Sequence, residues 1–116
     1  MQEFAMVCYL FKQPLGGTSF YRHRKTGFET ISEMRKAEYM QSLQTQATTE
    51  GLPSAKYISG DTNLFEQTHN VPAWYNRAIL YPANLLHSGD IQGESVLSDD
   101  PTKGRLTLNF CIGIGK

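Results

Sequence analysis

The chain has 116 residues, 40% apolar and 11% aromatic, which fits one globular domain with a modest core and excludes a disordered tract. Eleven basic residues balance eleven acidic ones, so no global field favours nucleic acid or an anionic membrane surface. No apolar run approaches the ~18 residues of a membrane span, the N-terminus lacks a signal-peptide pattern, and the only cysteines are Cys8 and Cys111; the expectation is a cytoplasmic chain with free, buried thiols, although the two can also face one another across a sheet.

In chain order, Phe4 to Phe11 is continuously apolar and aromatic-rich, which predicts a strand buried on both faces. Only three residues precede it, and so abrupt a start to a core strand predicts an N-terminally truncated reading frame. Gln13-Pro14-Leu15-Gly16-Gly17 reads as a turn. Thr18 to His23 alternates as a second strand that ends at Lys25-Thr26-Gly27, which makes strand, turn and strand a hairpin. Thr30 and Glu33 form a capping-box pair ahead of Ile31, Met34, Ala37, Met40 and Leu43. That spacing predicts a helix over 31–43 docked by its apolar stripe on one sheet face.

From 45 to 70 the sequence is polar and punctuated by Gly51, Pro53, Gly60 and Asp61, which predicts a long inserted loop with a short strand over 56–58. Trp74 stands where it can anchor that loop. Arg77 to Tyr81 reads as a strand closed by Pro82, continuing over 84–87 after a kink, and 89–103 as a polar loop. Arg105 to Ile114 alternates strictly. Arg105, Thr107, Asn109 and Cys111 share one face; Leu106, Leu108, Phe110 and Ile112 share the other, the expected core side. The coarse class is mainly β with one helix, in a single domain over 1–116, which favours a sandwich or rolled barrel.

Two positions carry chemistry. His87 sits at a strand end before Ser-Gly, where its ring can project into a cavity as a metal ligand; the alternative is a hydrogen-bonded histidine that closes a strand. Arg105 and Thr107, two apart on a strand, place a guanidinium fork and a hydroxyl on one face, where both can meet one carboxylate; the alternative is a solvated outer face. His23, among Arg22, Arg24 and Lys25, reads as a solvated hairpin end with the look of an anion patch, and His69 as a surface-loop residue. Neither has a partner at zinc-ligand spacing. There is no phosphate-cradling glycine loop with a lysine and no Gly-x-Ser-x-Gly turn.

Gly16-Gly17-Thr18-Ser19-Phe20-Tyr21-Arg22-His23-Arg24, with Asn76-Arg77-Ala78-Ile79-Leu80-Tyr81-Pro82 through His87-Ser88-Gly89 and Gly104-Arg105-Leu106-Thr107, resembles the C-terminal half of the Fe(II)- and 2-oxoglutarate-dependent oxygenases. The likeness is to prolyl-4-hydroxylase-like members and their uncharacterised relatives in marine bacteria and phages. It implies a double-stranded β-helix, of the jelly-roll and cupin-like kind, in which a His-x-Asp pair and a distal histidine hold iron. His87 matches the distal histidine, Arg105 the basic residue that receives the C5 carboxylate of 2-oxoglutarate, and Thr107 its hydroxyl-bearing neighbour. No His-x-Asp occurs anywhere in the sequence. The resemblance therefore implies a fragment with one iron ligand of three, which holds Fe(II) weakly or not at all and is inactive alone. It assigns no catalytic residue. Uncovered sheet edges imply a homodimer or larger assembly, by extension or exchange around the first strand. Two other readings stand beside it: a non-catalytic β-roll that binds a small carboxylate or sugar through Arg105, and a structural jelly-roll such as a capsid accessory domain with His87 incidental.

Overall fold

Alternating apolar runs separated by Pro and Gly make strands, and the computed structural model, which describes residues 2–50, 58, 60–91 and 104–114, has six among them. They are β1 (Gln2–Tyr9), β2 (Thr18–His23), β3 (Phe65–Val71), β4 (Ala78–Pro82), β5 (His87–Gly89) and β6 (Thr107–Ile114), with helix α1 (Glu33–Glu50) between β2 and β3. They form two three-stranded sheets, ordered β4-β1-β6 and β3-β2-β5, antiparallel at every pairing. The class is therefore mainly β with one helix.

The expected hairpin of the first two strands does not form, because β1 and β2 belong to different sheets. Leu10 to Gly17 carries the chain across between them, and the two sheets are joined by side chains. Tyr81 of β4 meets Phe20 of β2 at 5.1 Å between ring centroids and His87 of β5 at 4.9 Å. Tyr9 Oη and Thr18 Oγ1 share a buried hydrogen bond of 2.6 Å. Edge-on aromatic contacts of this kind contribute about 0.5–1.5 kcal/mol each beyond area burial.

Register shows which way each strand faces. Ala5 lies opposite Tyr81 and Cys111, and Met6 opposite Leu80 and Phe110. Directly opposed residues point to the same side of a sheet. Tyr81 and Tyr9 are buried against the other sheet, so Thr107, Asn109 and Cys111 share the inner face with them. The expected core side of β6 is thus inverted: Leu106, Leu108, Phe110 and Ile112 are each 41–47% exposed, and Leu80 is 60% exposed. The strand alternates as expected, but a two-fold period cannot say which set faces the protein. β1 is likewise not buried on both faces; most of it is half-buried, although both of its backbone edges are paired. Cys8 and Cys111 are on opposite faces of the sheet, as their partners Leu108 and Ala5 require, and both are free thiols, the second exposed.

The helix docks against the β3-β2-β5 sheet at His23, but not by the predicted stripe. Met34 is 94% and Met40 55% exposed, while Gln46 is buried. Docking runs instead through Tyr39 and Gln46, seven apart and so on one face. The Tyr39 ring meets His23 edge-on at 5.2 Å, and Gln46 Oε1 lies 2.7 Å from His23 Nε2. The capping box is not used either. Thr30 forms an isolated bridge with Leu85, and the helix starts at Glu33.

The 45–70 segment is not one loop: α1 continues to Glu50 and β3 begins at Phe65. The strand predicted over 56–58 falls largely outside the described residues; Ile58 is in no strand. Residues 84–86, predicted as strand, do not form one: Asn84 is in a turn, Leu85 makes only the isolated bridge with Thr30, and β5 starts at His87. Because β1 is the central strand of its sheet, it has no free edge for the expected extension around the first strand. Among the described residues, the edges without a partner strand are those of β4 and β6, and of β3 and β5.

Candidate functional site

Arg105 is placed by the turn between β1 and β2. Its Nε donates to the Gly16 carbonyl at 3.0 Å and its Nη2 to the Gly17 carbonyl at 2.7 Å. The guanidinium also rests over Phe11 and Tyr9, 5.7 and 5.9 Å from their ring centres. Two glycines are needed here. Gly16 has φ +89°, and a Cβ on Gly17 would overlap the Val71 carbonyl oxygen, so only a bare backbone brings both carbonyls to the arginine. Burial pushes the Arg105 pKa below its ordinary value, and Tyr9 and Asp90 oppose that shift. Of the five N–H bonds of a guanidinium, these two carbonyls take two. Among the described residues nothing accepts from Nη1, and it is the edge of the fork left for a ligand.

The third side of Arg105 is β5. A side chain at Gly89 would lie 3.3 Å from Nη2 and 3.4 Å from Nη1. Residues two apart on a strand point the same way, so His87 projects on the face that Gly89 turns to the guanidinium, roughly 7 Å further along the strand. His87 Nδ1 lies 2.7 Å from the Leu85 carbonyl. A carbonyl only accepts, so Nδ1 carries a proton, and in the neutral form of the ring it is Nε2 that presents a lone pair, the arrangement that metal-bound histidines use. The ring is exposed, flanked by Tyr81 and Phe20. His87 and Arg105 are thus brought to one side of β5, in the space between the sheets. Thr107 is on the inner face beside Tyr9, the ring over which the guanidinium rests. It lies opposite Tyr9, and its hydroxyl accepts from Asn109 Nδ2 at 3.1 Å.

Behind this space is a polar clamp that sequence reasoning missed. Asp90, buried just past β5, accepts from Ser19 Oγ at 2.8 Å to each carboxylate oxygen. Asn70 Nδ2 donates both to Asp90 Oδ2 and, at 2.8 Å, to Ser19 Oγ. The Asp90 N–H donates to the Gly17 carbonyl at 2.9 Å, the same oxygen that takes Arg105 Nη2. The carboxylate therefore ties β5 to β2 and β3, while the backbone N–H of the same residue holds the carbonyl on which Arg105 sits. The only sequence signal was an aspartate directly after a strand-ending glycine, and it was read as part of a polar loop.

The other histidines are not what their neighbourhoods implied. His23 is fully buried, with Nδ1 2.8 Å from Thr26 Oγ1 and Nε2 on Gln46. With the Gln46 oxygen as acceptor, Nε2 donates and Nδ1 accepts from the Thr26 hydroxyl. Its neighbour Arg22 is no anion site, because it pairs with Glu66 at 2.9 Å and Glu29 at 3.4 Å. His69 is in β3, not a loop, and lies opposite Phe20, which on its other side lies opposite His87. Trp74 does not anchor a loop through burial; it is 62% exposed under the Arg77 guanidinium, which is 3.7 Å from its ring centre.

A cleft of about 520 Å³ opens between the sheets at their β3 and β4 sides, lined by Phe20, His69, Val71, Ile79, Tyr81 and Leu85 among others. Among the described residues no group of three or more His, Cys, Asp or Glu side chains is placed to hold a metal, and no helix is long and apolar enough to cross a membrane. A family model described as a family of unknown function (DUF6445) matches residues 1–112. No curated protein and no solved structure matches the chain.

Proposed function

The chain belongs to DUF6445, a family of unknown function, and we propose that it is a carboxylate-binding β fold of the Fe(II)- and 2-oxoglutarate-dependent oxygenase type that binds the oxo-acid without turning it over alone. The observation that carries this reading is the shared face of β5: a half-buried guanidinium whose Nη1 has no acceptor among the described residues lies over Gly89, and His87, with Nδ1 held by the Leu85 carbonyl, lies two residues away. The order of the sheets, β4-β1-β6 against β3-β2-β5, with the chain passing repeatedly from one to the other, supports a double-stranded β-helix of the jelly-roll kind.

The two groups such a protein uses fit this chain unequally. For the dicarboxylate, Arg105 offers a charged, partly desolvated donor edge, which suits a carboxylate oxygen. Thr107 is close enough in sequence to line the same face but is engaged with Asn109. For iron, His87 alone is presented among the described residues, and the sequence has no His-x-Asp pair. A single imidazole does not hold Fe(II) against mass action. Iron therefore does not fit the residues present, and no oxidative step is assigned to this chain.

Calorimetric titration with 2-oxoglutarate tests the proposal. Saturable binding is expected without metal, weakened about 10–100-fold in Arg105→Lys, which keeps the charge and loses the fork. His87→Ala is expected to leave that affinity within about twofold, a difference near the ordinary additivity error, and Fe(II) is expected not to stimulate oxo-acid consumption. Robust Fe(II)-dependent turnover by this chain refutes the inactive-alone part; absence of binding refutes the whole reading. A carboxylate-binding module with no redox relative is the second reading, favoured by the solitary imidazole. It gains support if small carboxylates unrelated to 2-oxoglutarate bind as tightly and lose affinity equally in Arg105→Lys.

A further inference from the structure

We infer that the cleft between the β3 and β4 sides of the two sheets takes the apolar body of an organic acid and that His69 receives its carboxylate. Cross-strand register is the first support. His69 of β3 and His87 of β5 both lie opposite Phe20 of β2, so all three side chains rise from the same face of that sheet in one row. The two imidazoles are two strand spacings apart, roughly 10 Å between backbones. A ligand laid across Phe20 therefore reaches His69 at one end and the His87 face at the other.

The walls set the chemistry of that ligand. Phe20, Val71, Ile79, Tyr81 and Leu85 present hydrocarbon or ring surface, and among the lining residues His69 is the one imidazole, whose ring N–H can donate to a carboxylate. At about 520 Å³ the cleft is within the range of small-molecule sites. It is also continuous with the proposed site, because the Tyr81 and Phe20 rings that form its wall are the rings that flank His87. An apolar acid is favoured over a sugar, which would leave its hydroxyls unpaired against these walls. Whether such an acid is the substrate of this fold rests on the oxygenase reading; that it binds here does not.

The test uses octanoate and octanol as probes, titrated calorimetrically against the chain, His69→Gln and Leu85→Trp. Octanoate is expected to bind about tenfold more weakly to His69→Gln, the cost of one charge-assisted hydrogen bond, while octanol is unaffected by that change. Leu85→Trp, which fills the cleft from a turn rather than a strand, is expected to weaken both. Its far-UV circular dichroism and urea midpoint, expected to match those of the parent chain, control for folding. Failure of octanoate to bind, or binding that neither variant alters, overturns the inference. So does displacement of octanoate by 2-oxoglutarate in simple competition, which places it on Arg105 instead. If 2-oxoglutarate fails to bind while octanoate binds and depends on His69, the cleft stands and the oxygenase reading falls.

Discussion

Replacing Asp90 by alanine probes the clamp on which Arg105 depends. The carboxylate takes the hydroxyl proton of Ser19, a residue with no exposed surface, and one amide hydrogen of Asn70. Its removal leaves Ser19 Oγ with no acceptor, for about 1–3 kcal/mol, and forfeits a charge-assisted bond from Asn70 of about 1.5–3 kcal/mol. Against this stands partial relief of the cost of desolvating the carboxylate, on the order of 1–2 kcal/mol. The balance expected is a loss of about 2–4 kcal/mol, read from equilibrium urea unfolding at constant slope. A double-mutant cycle with Ser19→Ala isolates the contact. The coupling is expected at about 1–2 kcal/mol, inside the range for residues sharing one network. A loss under about 0.5 kcal/mol, or strict additivity with Ser19→Ala, would show that Asp90 is solvated and holds nothing.

Gln46→Ala removes the acceptor of the buried His23 Nε2, and a loss of about 1–3 kcal/mol is expected, with faster amide hydrogen exchange in α1 and little change in β1. Burial raises the pKa values of Tyr9, Tyr21, Tyr39 and Tyr81 above the ordinary tyrosine value. The unfolded chain therefore loses those protons first, so their contribution is intact below pH ~10 and is lost as pH rises from there through the folded values; circular dichroism and tyrosinate absorbance should change together in that window. The outer face of the β4-β1-β6 sheet leaves Leu80, Leu108, Phe110 and Ile112 exposed, beside two open edges. Self-association is expected in sedimentation equilibrium at micromolar concentration, and Phe110→Lys is expected to shift the chain towards monomer.

Local chemistry made the strands legible and left their partners hidden. The alternation of Arg105 to Ile114 and the Pro and Gly boundaries placed β2, β4 and β6 to within a residue or two. The period-2 pattern carried no sign, so Leu108 and Phe110 were assigned to a core that in fact holds Thr107 and Tyr9 opposite one another. Pairing was equally silent. Nothing in Phe4 to Phe11 says that β1 lies between β4 and β6 rather than beside β2, because sheet partners are chosen by contacts far apart in sequence. The helix stripe misled for a different reason. Met34 and Met40 have the right spacing, but Tyr39 and Gln46 win the docking face because His23 is a buried group that needs an acceptor. At the site, Arg105 and His87 were visible as residue types at strand ends. The polar clamp was not, because Ser19, Asn70 and Asp90 are separated by 51 and 20 residues and no local spacing links them.

The central claim, that the His87 imidazole and the Arg105 guanidinium address one bound carboxylate compound, is tested most directly by isotope-filtered nuclear Overhauser spectra of the labelled chain with unlabelled 2-oxoglutarate. Cross-peaks from the ligand methylenes to both the His87 ring and the Arg105 side chain are the predicted result. Cross-peaks to only one of them, or to neither at saturating ligand, contradict it.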